Sequence, residues 1–159
     1  MIRLGVPSKG RLMEQTFDWF EELAPMGFGH ADLILAVPAC WADCETLDDF
    51  ATIARDFRAE HGFRLRIATK YHRLVRAWLS AEEVADYQLV DSQGATEGTV
   101  ANLTAEAIAD ITSSGETLRA NHLKIIGGEP ILRSQATLLR SLAAGDEAEV
   151  RAFALRLGL

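Results

Sequence analysis

Cysteine is nearly absent from this chain: among 159 residues only Cys40 and Cys44 occur, as a lone C-x-x-x-C. With no second pair and no histidine at a completing spacing, a structural zinc site is not expected and both read as ordinary thiols. Positive charge is also in deficit, with 16 Lys and Arg against 23 Asp and Glu and a net charge of −7. Such a surface does not neutralise a run of phosphates, so no nucleic-acid partner is expected. Long apolar runs are missing too. The stretch Leu33 to Cys40 is far shorter than the roughly 20 residues a membrane helix needs, and the opening MIRLGVPSKG has no apolar signal-peptide core. The expectation is a cytoplasmic protein without a membrane partner.

What remains is a globular composition, 48% hydrophobic and 25% charged, sufficient for a buried core in one domain or two small lobes. Local basic clusters persist within the acidic whole, Lys9 with Arg11 and Lys70 with Arg73 and Arg76. A small anionic ligand responds to such local charge more than to the net value.

Hydrophobic periodicity divides the chain into alternating strands and helices. Ile2, Leu4 and Val6 make a short strand stopped by Pro7, and LMEQTFDWFEEL predicts a helix from about Leu12 to Leu23, ahead of Pro25. ADLILAVPAC is a buried strand ending at Pro38, and TLDDFATIARDFRAEHG is a helix with Gly62 as its C-cap. RLRIATKY is a strand and HRLVRAWLSAEEV a helix, followed by a strand in DYQLVDSQGATEGT, a strand in EAIADIT and a helix starting in GETLRANHL. Beyond Leu123 the pattern suggests a turn region, a strand near Ile131, a closing helix through TLLRSL and a last amphipathic helix in EVRAFALRLGL. Strands alternating with helices imply an α/β fold with a largely parallel sheet.

The segment richest in chemistry is Ala105 to Asn121, AEAIADITSSGETLRAN. A strand delivers Thr112, Ser113, Ser114, Gly115 and Thr117 to a helix start, where free backbone N–H groups and hydroxyls can cradle a phosphate and Gly115 permits close approach. The alternative is a plain N-cap loop. Glu106 and Asp110, four apart, fall on one face of that strand. Carboxylates at a phosphate cradle fit sugar hydroxyls or a divalent metal, unless they are simply solvated acids. The scattered His residues are not spaced as metal ligands, and Trp19, Trp41 and Trp78 read as core or interface anchors.

DITSSGETLRANHL resembles the phosphoribosyl pyrophosphate loop of short-form ATP phosphoribosyltransferases. VPSKGRL, GFGHADLILAVP, RIATKY, DSQGATEG and ILRSQATL resemble further segments of that family in the same order. The resemblance implies a periplasmic-binding-protein-like two-lobe fold with mainly parallel sheets. It places a first lobe at 1–29 plus 125–159 and a second lobe at 30–124. The first lobe is shortened, because a stretch that family members carry after Glu22 is missing.

The activity implied is transfer of phosphoribosyl from phosphoribosyl pyrophosphate to N1 of ATP, with Mg²⁺, in histidine biosynthesis. By similarity Glu106 and Asp110 are the catalytic acids facing ribose hydroxyls and metal. Asp110, Thr112, Ser113, Ser114, Gly115, Glu116, Thr117 and Leu118 bind phosphoribosyl pyrophosphate, although Glu116 stands where the family often has a small residue. Lys9, Arg11, Lys70, Tyr71, Thr96 and Glu97 serve ATP. Tyr71 could instead be a half-buried aromatic at a strand end, and Thr96 and Glu97 only turn formers. Implied partners are a second copy of the chain and a regulatory subunit resembling histidyl-tRNA synthetase. The alternative function is a non-catalytic module that binds a phosphosugar or nucleotide, or packs in an assembly.

Overall fold

The computed structural model describes residues 20–92, 94, 96–142 and 147–156. The chain forms two compact units, one of residues 1–29 with 135–159 and a larger one, His30–Ser134. In the larger unit β2 (Ala31–Pro38) is the central strand. Its unbroken run from Leu33 to Val37 is buried, because both faces of the sheet are covered. Leu33, Leu35 and Val37 enter one core cluster, whereas Ile34 and Ala36 enter the other.

Around it stand β3 (Leu65–Thr69), β4 (Tyr87–Asp91), β5 (Ala107–Thr112) and β6 (Leu123–Ile126), in the order β4-β3-β5-β2-β6, with β7 (Leu132–Ser134) also on β2. β3 pairs in parallel with β4 and β5, but β2 is antiparallel to β5, β6 and β7. The sheet is therefore mixed: β2 alone runs against the others. Apolar patterning reports burial and not direction, so the parallel expectation failed at this strand. Because β6 and β7 both pair with β2, residues 125–134 belong to the larger unit, and the lobe boundary lies ten residues beyond the expected 124/125.

On one face lie α1 (Leu47–His61) and α2 (His72–Ala81). Thr46 and Asp49 form a reciprocal capping box at the start of α1, and Gly62, at φ 77°, closes it with its N–H on the Arg58 carbonyl. Phe50 and Ala54 of α1 and Val75 and Leu79 of α2 are buried together. α2 ends earlier than its apolar pattern suggests. Glu83, at φ 56°, turns the chain so that the Val84 N–H reaches the Leu79 carbonyl at 2.9 Å and Val84 folds back into the core. The other face is covered by α3 (Gly98–Ala101) and α4 (Glu116–Ala120), through Val100 and Leu118.

The smaller unit holds β1 (Phe20–Pro25), antiparallel to β8 (Thr137–Ser141), and α5 (Glu147–Arg156). Both strands correct helical expectations, at the end of Leu12–Leu23 and in TLLRSL; residues 12–19 lie outside those described. Cross-strand pairing satisfies both backbones at once, and such tertiary pairing overrides the weak preference of a short apolar segment.

Glu106 has a structural partner. Its carboxylate accepts hydrogen bonds from the Arg66 backbone N–H at 2.7 Å and from Arg66 Nε at 3.1 Å, while Arg66 Nη2 donates to the Leu103 carbonyl at 3.0 Å. Burial opposes the charge on Glu106, but the hydrogen bonds and charge of Arg66 outweigh it and hold the carboxyl below its ordinary 4.5. The native state therefore gains stability above that ordinary value and loses it as pH falls through the lowered one.

Phe50→Ala, which empties a fully buried site between α1 and the sheet, is expected to cost about 3–5 kcal/mol in denaturant unfolding. Glu106→Gln should cost about 1–3 kcal/mol at neutral pH, with the deficit shrinking toward pH 3. A deficit constant from pH 7 to pH 3 would separate this carboxylate from the acid sensitivity.

Candidate functional site

The carboxyl ends of the parallel strands β3, β4 and β5 lie at one end of the sheet, where open α/β sheets place their ligands. Three loops leave from there: Lys70 and Tyr71 after β3, Ser92 to Glu97 after β4, and Ser113 to Gly115 after β5. Gln93 and Ala95 lie outside the described residues.

Sheet parity sorts the side chains. Ala68 pairs with Ile108 across β3 and β5, and Asp110 pairs with Ile34 across β5 and β2. Ala68, Ile108 and Ile34 belong to the same core cluster. Asp110 therefore continues that face beyond its apolar part, at 8% exposure. Lys70 comes to the same place, with Nζ 3.4 Å from Asp110 Oδ1 and 5.4 Å from the centre of the Tyr71 ring. Burial works against the Lys70 charge, yet Asp110 and Tyr71 offset it and raise the ammonium above its ordinary 10.5. Lys70 and Asp110 thus form an ion pair at the strand ends.

The loop after β5 is held by its own atoms. Gly115 is buried at φ 69°, and its N–H donates to Thr112 Oγ1 at 3.0 Å. A side chain at Gly115 would meet Arg119 Nη1 at 3.2 Å as well as the left-handed backbone. The Ser114 carbonyl accepts from Arg119 Nη2 at 3.1 Å, and the Glu116 N–H reaches Ser114 Oγ at 3.3 Å. Ser113, Ser114 and Thr117 are exposed, and the N–H groups of Ser113 and Ser114 donate to no described residue. α4 has only five residues, shorter than expected. Hydroxyls and loop amides, more than a helix dipole, are what this turn offers an anion.

Several predicted site residues have other contacts or lie farther off. Glu106 is at the far end of β5, about 13 Å from Asp110 at the usual rise per strand residue, and is bonded to Arg66. Leu118 is a core residue at 3% exposure. Thr96 is fully buried, with its hydroxyl accepting from Ser92 Oγ at 2.9 Å, so it fixes its loop from within. Tyr71 is half-buried against the other core cluster and its N–H donates to Thr69 Oγ1 at 3.0 Å. Glu97 is the half-buried N-cap of α3. The Glu116 carboxylate accepts no hydrogen bond from any described residue. Lys9 and Arg11 lie outside the described residues.

The structure also brings in residues that sequence reasoning passed over. Thr69 and Ser92 are buried polar groups that tie the loops after β3 and β4 together, with the Ser92 N–H on the Thr69 carbonyl at 3.2 Å. Arg119 braces the hydroxyl loop; its place one helical turn after Gly115 was the available signal. Among the described residues no group of three or more metal-ligating side chains is gathered, and no helix is long and apolar enough to cross a membrane.

Residues 1–158 match the HisG ATP phosphoribosyltransferase family model. The ATP phosphoribosyltransferase of Cereibacter sphaeroides is 62% identical over 164 aligned residues, covering 99% of this chain and 70% of the relative. A solved ATP phosphoribosyl transferase (HisG:HisZ) complex from Thermotoga maritima shares the fold at a TM-score of 0.61 and 16% identity, over 92% of this chain and 64% of that one. A probable amino-acid ABC transporter extracellular-binding protein from Bacillus subtilis does so at a TM-score of 0.56 and 11% identity, over 93% of this chain and 60% of the other. The chain belongs to the ATP phosphoribosyltransferase family, and by that membership is a glycosyltransferase of histidine biosynthesis.

Proposed function

We propose that the site at the ends of β3 and β5 holds phosphoribosyl pyrophosphate for transfer of its phosphoribosyl group to N1 of ATP. The observation that carries this reading is the union of two features: an ion-paired, nearly buried Asp110 and a hydroxyl-rich loop with free amides, a few residues apart on one strand end. Ser113, Ser114 and Thr117 take the 5-phosphate, with the loop amides as further donors. Asp110 accepts from a ribose hydroxyl, and Lys70, 3.4 Å away, holds that carboxylate in place while lending positive charge toward the pyrophosphate.

The reaction needs no protein nucleophile. The C1–oxygen bond breaks with its electron pair leaving on pyrophosphate, and the N1 lone pair of ATP forms the new bond to C1. Catalysis consists of holding the two reactants in line and stabilising the charge that separates between sugar and leaving group. Asp110 is the one carboxylate of the expected pair that stands at the site, which fits a magnesium ion carried mainly by the substrate's phosphates and waters. Bound there, Mg²⁺ supplies charge neutralisation at the leaving pyrophosphate.

The Thermotoga HisG:HisZ complex supports a regulatory subunit as partner; a histidyl-tRNA-synthetase-like character for it, and self-association of this chain, are what the family resemblance leads us to expect. Work in the cytoplasm fits this role.

Calorimetry with phosphoribosyl pyrophosphate and Mg²⁺ tests the site. Asp110→Asn is expected to weaken binding by about tenfold or more, the loss typical of a charged hydrogen bond, and Gly115→Val to abolish it by filling the turn. Wild-type affinity in both variants would sink the reading. Formation of phosphoribosyl-ATP, with and without the regulatory subunit, tests turnover. Binding without product under both conditions would make the chain a phosphosugar-binding module instead.

A further inference from the structure

β2 enters the site from the opposite direction to its neighbours, so its first residues, not its last, lie beside the carboxyl end of β5. Asp32 pairs directly with Thr112, the residue that anchors the hydroxyl loop, while Ile34 pairs with Asp110. Residues 32, 34 and 36 share one face of the strand, and Ile34 and Ala36 mark it as the face of Asp110. Asp32 and Asp110 are thus diagonal neighbours on adjacent strands, with Cβ atoms about 7–8 Å apart by the standard geometry. Asp32 is half-buried, and among the described residues its carboxylate takes no hydrogen bond or ion pair.

We infer that Asp32 is the second substrate-contacting carboxylate of the site and, together with Asp110, accepts hydrogen bonds from the vicinal hydroxyls of a ribose phosphate. This rests on the phosphosugar reading above and gives Asp32 the sugar contact that the family resemblance implied for Glu106. A span of about 7–8 Å between Cβ atoms suits two carboxylates reaching inward to adjacent hydroxyls.

The Lys70 charge beside the pair favours hydroxyls over a metal ion. Lys70 Nζ lies 3.4 Å from Asp110. On the other side Arg133 of β7 pairs across the strand with Asp32, although its guanidinium is engaged with Glu129. A cation already stands at Asp110, so a divalent ion there would meet like charge on that flank, whereas neutral O–H donors meet none. The resulting order across the strands, Lys70, Asp110, Asp32, puts two acceptors over the sugar and a cation at one end.

The test is calorimetry of wild type and Asp32→Asn with two probes, ribose 5-phosphate and inorganic phosphate. Removing a negative charge beside the loop should leave phosphate binding unchanged or tighter, while ribose 5-phosphate binding weakens about tenfold through the lost charged acceptor. These opposite signs distinguish a sugar contact from a general loss of structure, and an unchanged thermal midpoint gives a second check on folding. Ribose 5-phosphate affinity within about twofold of wild type, or an equal loss for both probes, would overturn the assignment. If the wild type binds phosphate but gains nothing from the sugar, the assignment falls while the anion loop stands. Binding of neither probe removes the phosphosugar reading itself.

Discussion

The larger unit depends on the antiparallel pairing of β2 with β5. Both strands are buried on two faces, so every side chain from Leu33 to Val37 and from Ala107 to Ala109 is committed to a core. That pairing also sets the register of the site. A slip by one residue would turn Asp110 from the ligand-side face into the cluster beneath α1 and α2, at the cost of burying a charge without Lys70. The hydrophobic register and the placement of the charged groups are therefore one constraint.

At the strand ends the electrostatics follow from what remains after the core is filled. Asp110 is tolerated at 8% exposure because Lys70 and the Ile111 N–H stabilise its charge, the latter at 2.8 Å. The hydroxyls of Thr69, Ser92 and Thr96 are buried and satisfied by the loops they connect. This leaves the exposed hydroxyls of Ser113, Ser114 and Thr117 as the polar groups open to a ligand. Donors held in place by such internal hydrogen bonds are preorganised for an anion.

Much of this was legible from the chain. The strands of ADLILAVP, RLRIAT, YQLVD and AIADIT, the capped helix over 47–61 and the hydroxyl loop all follow from apolar spacing and from Thr46, Gly62 and Gly115 as punctuation. Illegible were the strands of FEELAP and TLLRS, whose apolar residues suit a helix until a partner strand is available. The fate of Glu106 was illegible for the same reason. Its spacing from Asp110 gives the correct face, but only the packing of β3 beside β5 reveals that Arg66 waits at its end of the strand.

Local sequence thus determined most of the strands, the capped helix over 47–61 and the position of the hydroxyl-rich loop, because these depend on neighbours within a few positions. Tertiary structure decided the rest. The direction of β2, and hence the arrival of Asp32 beside Thr112, rests on pairing between residues some 80 positions apart. The different surroundings of Asp110 and Glu106 rest on which cation each meets, Lys70 or Arg66. Such choices are made by contacts that no short window of sequence contains, since a carboxylate's role is set by the charges and solvent around it once the chain has folded.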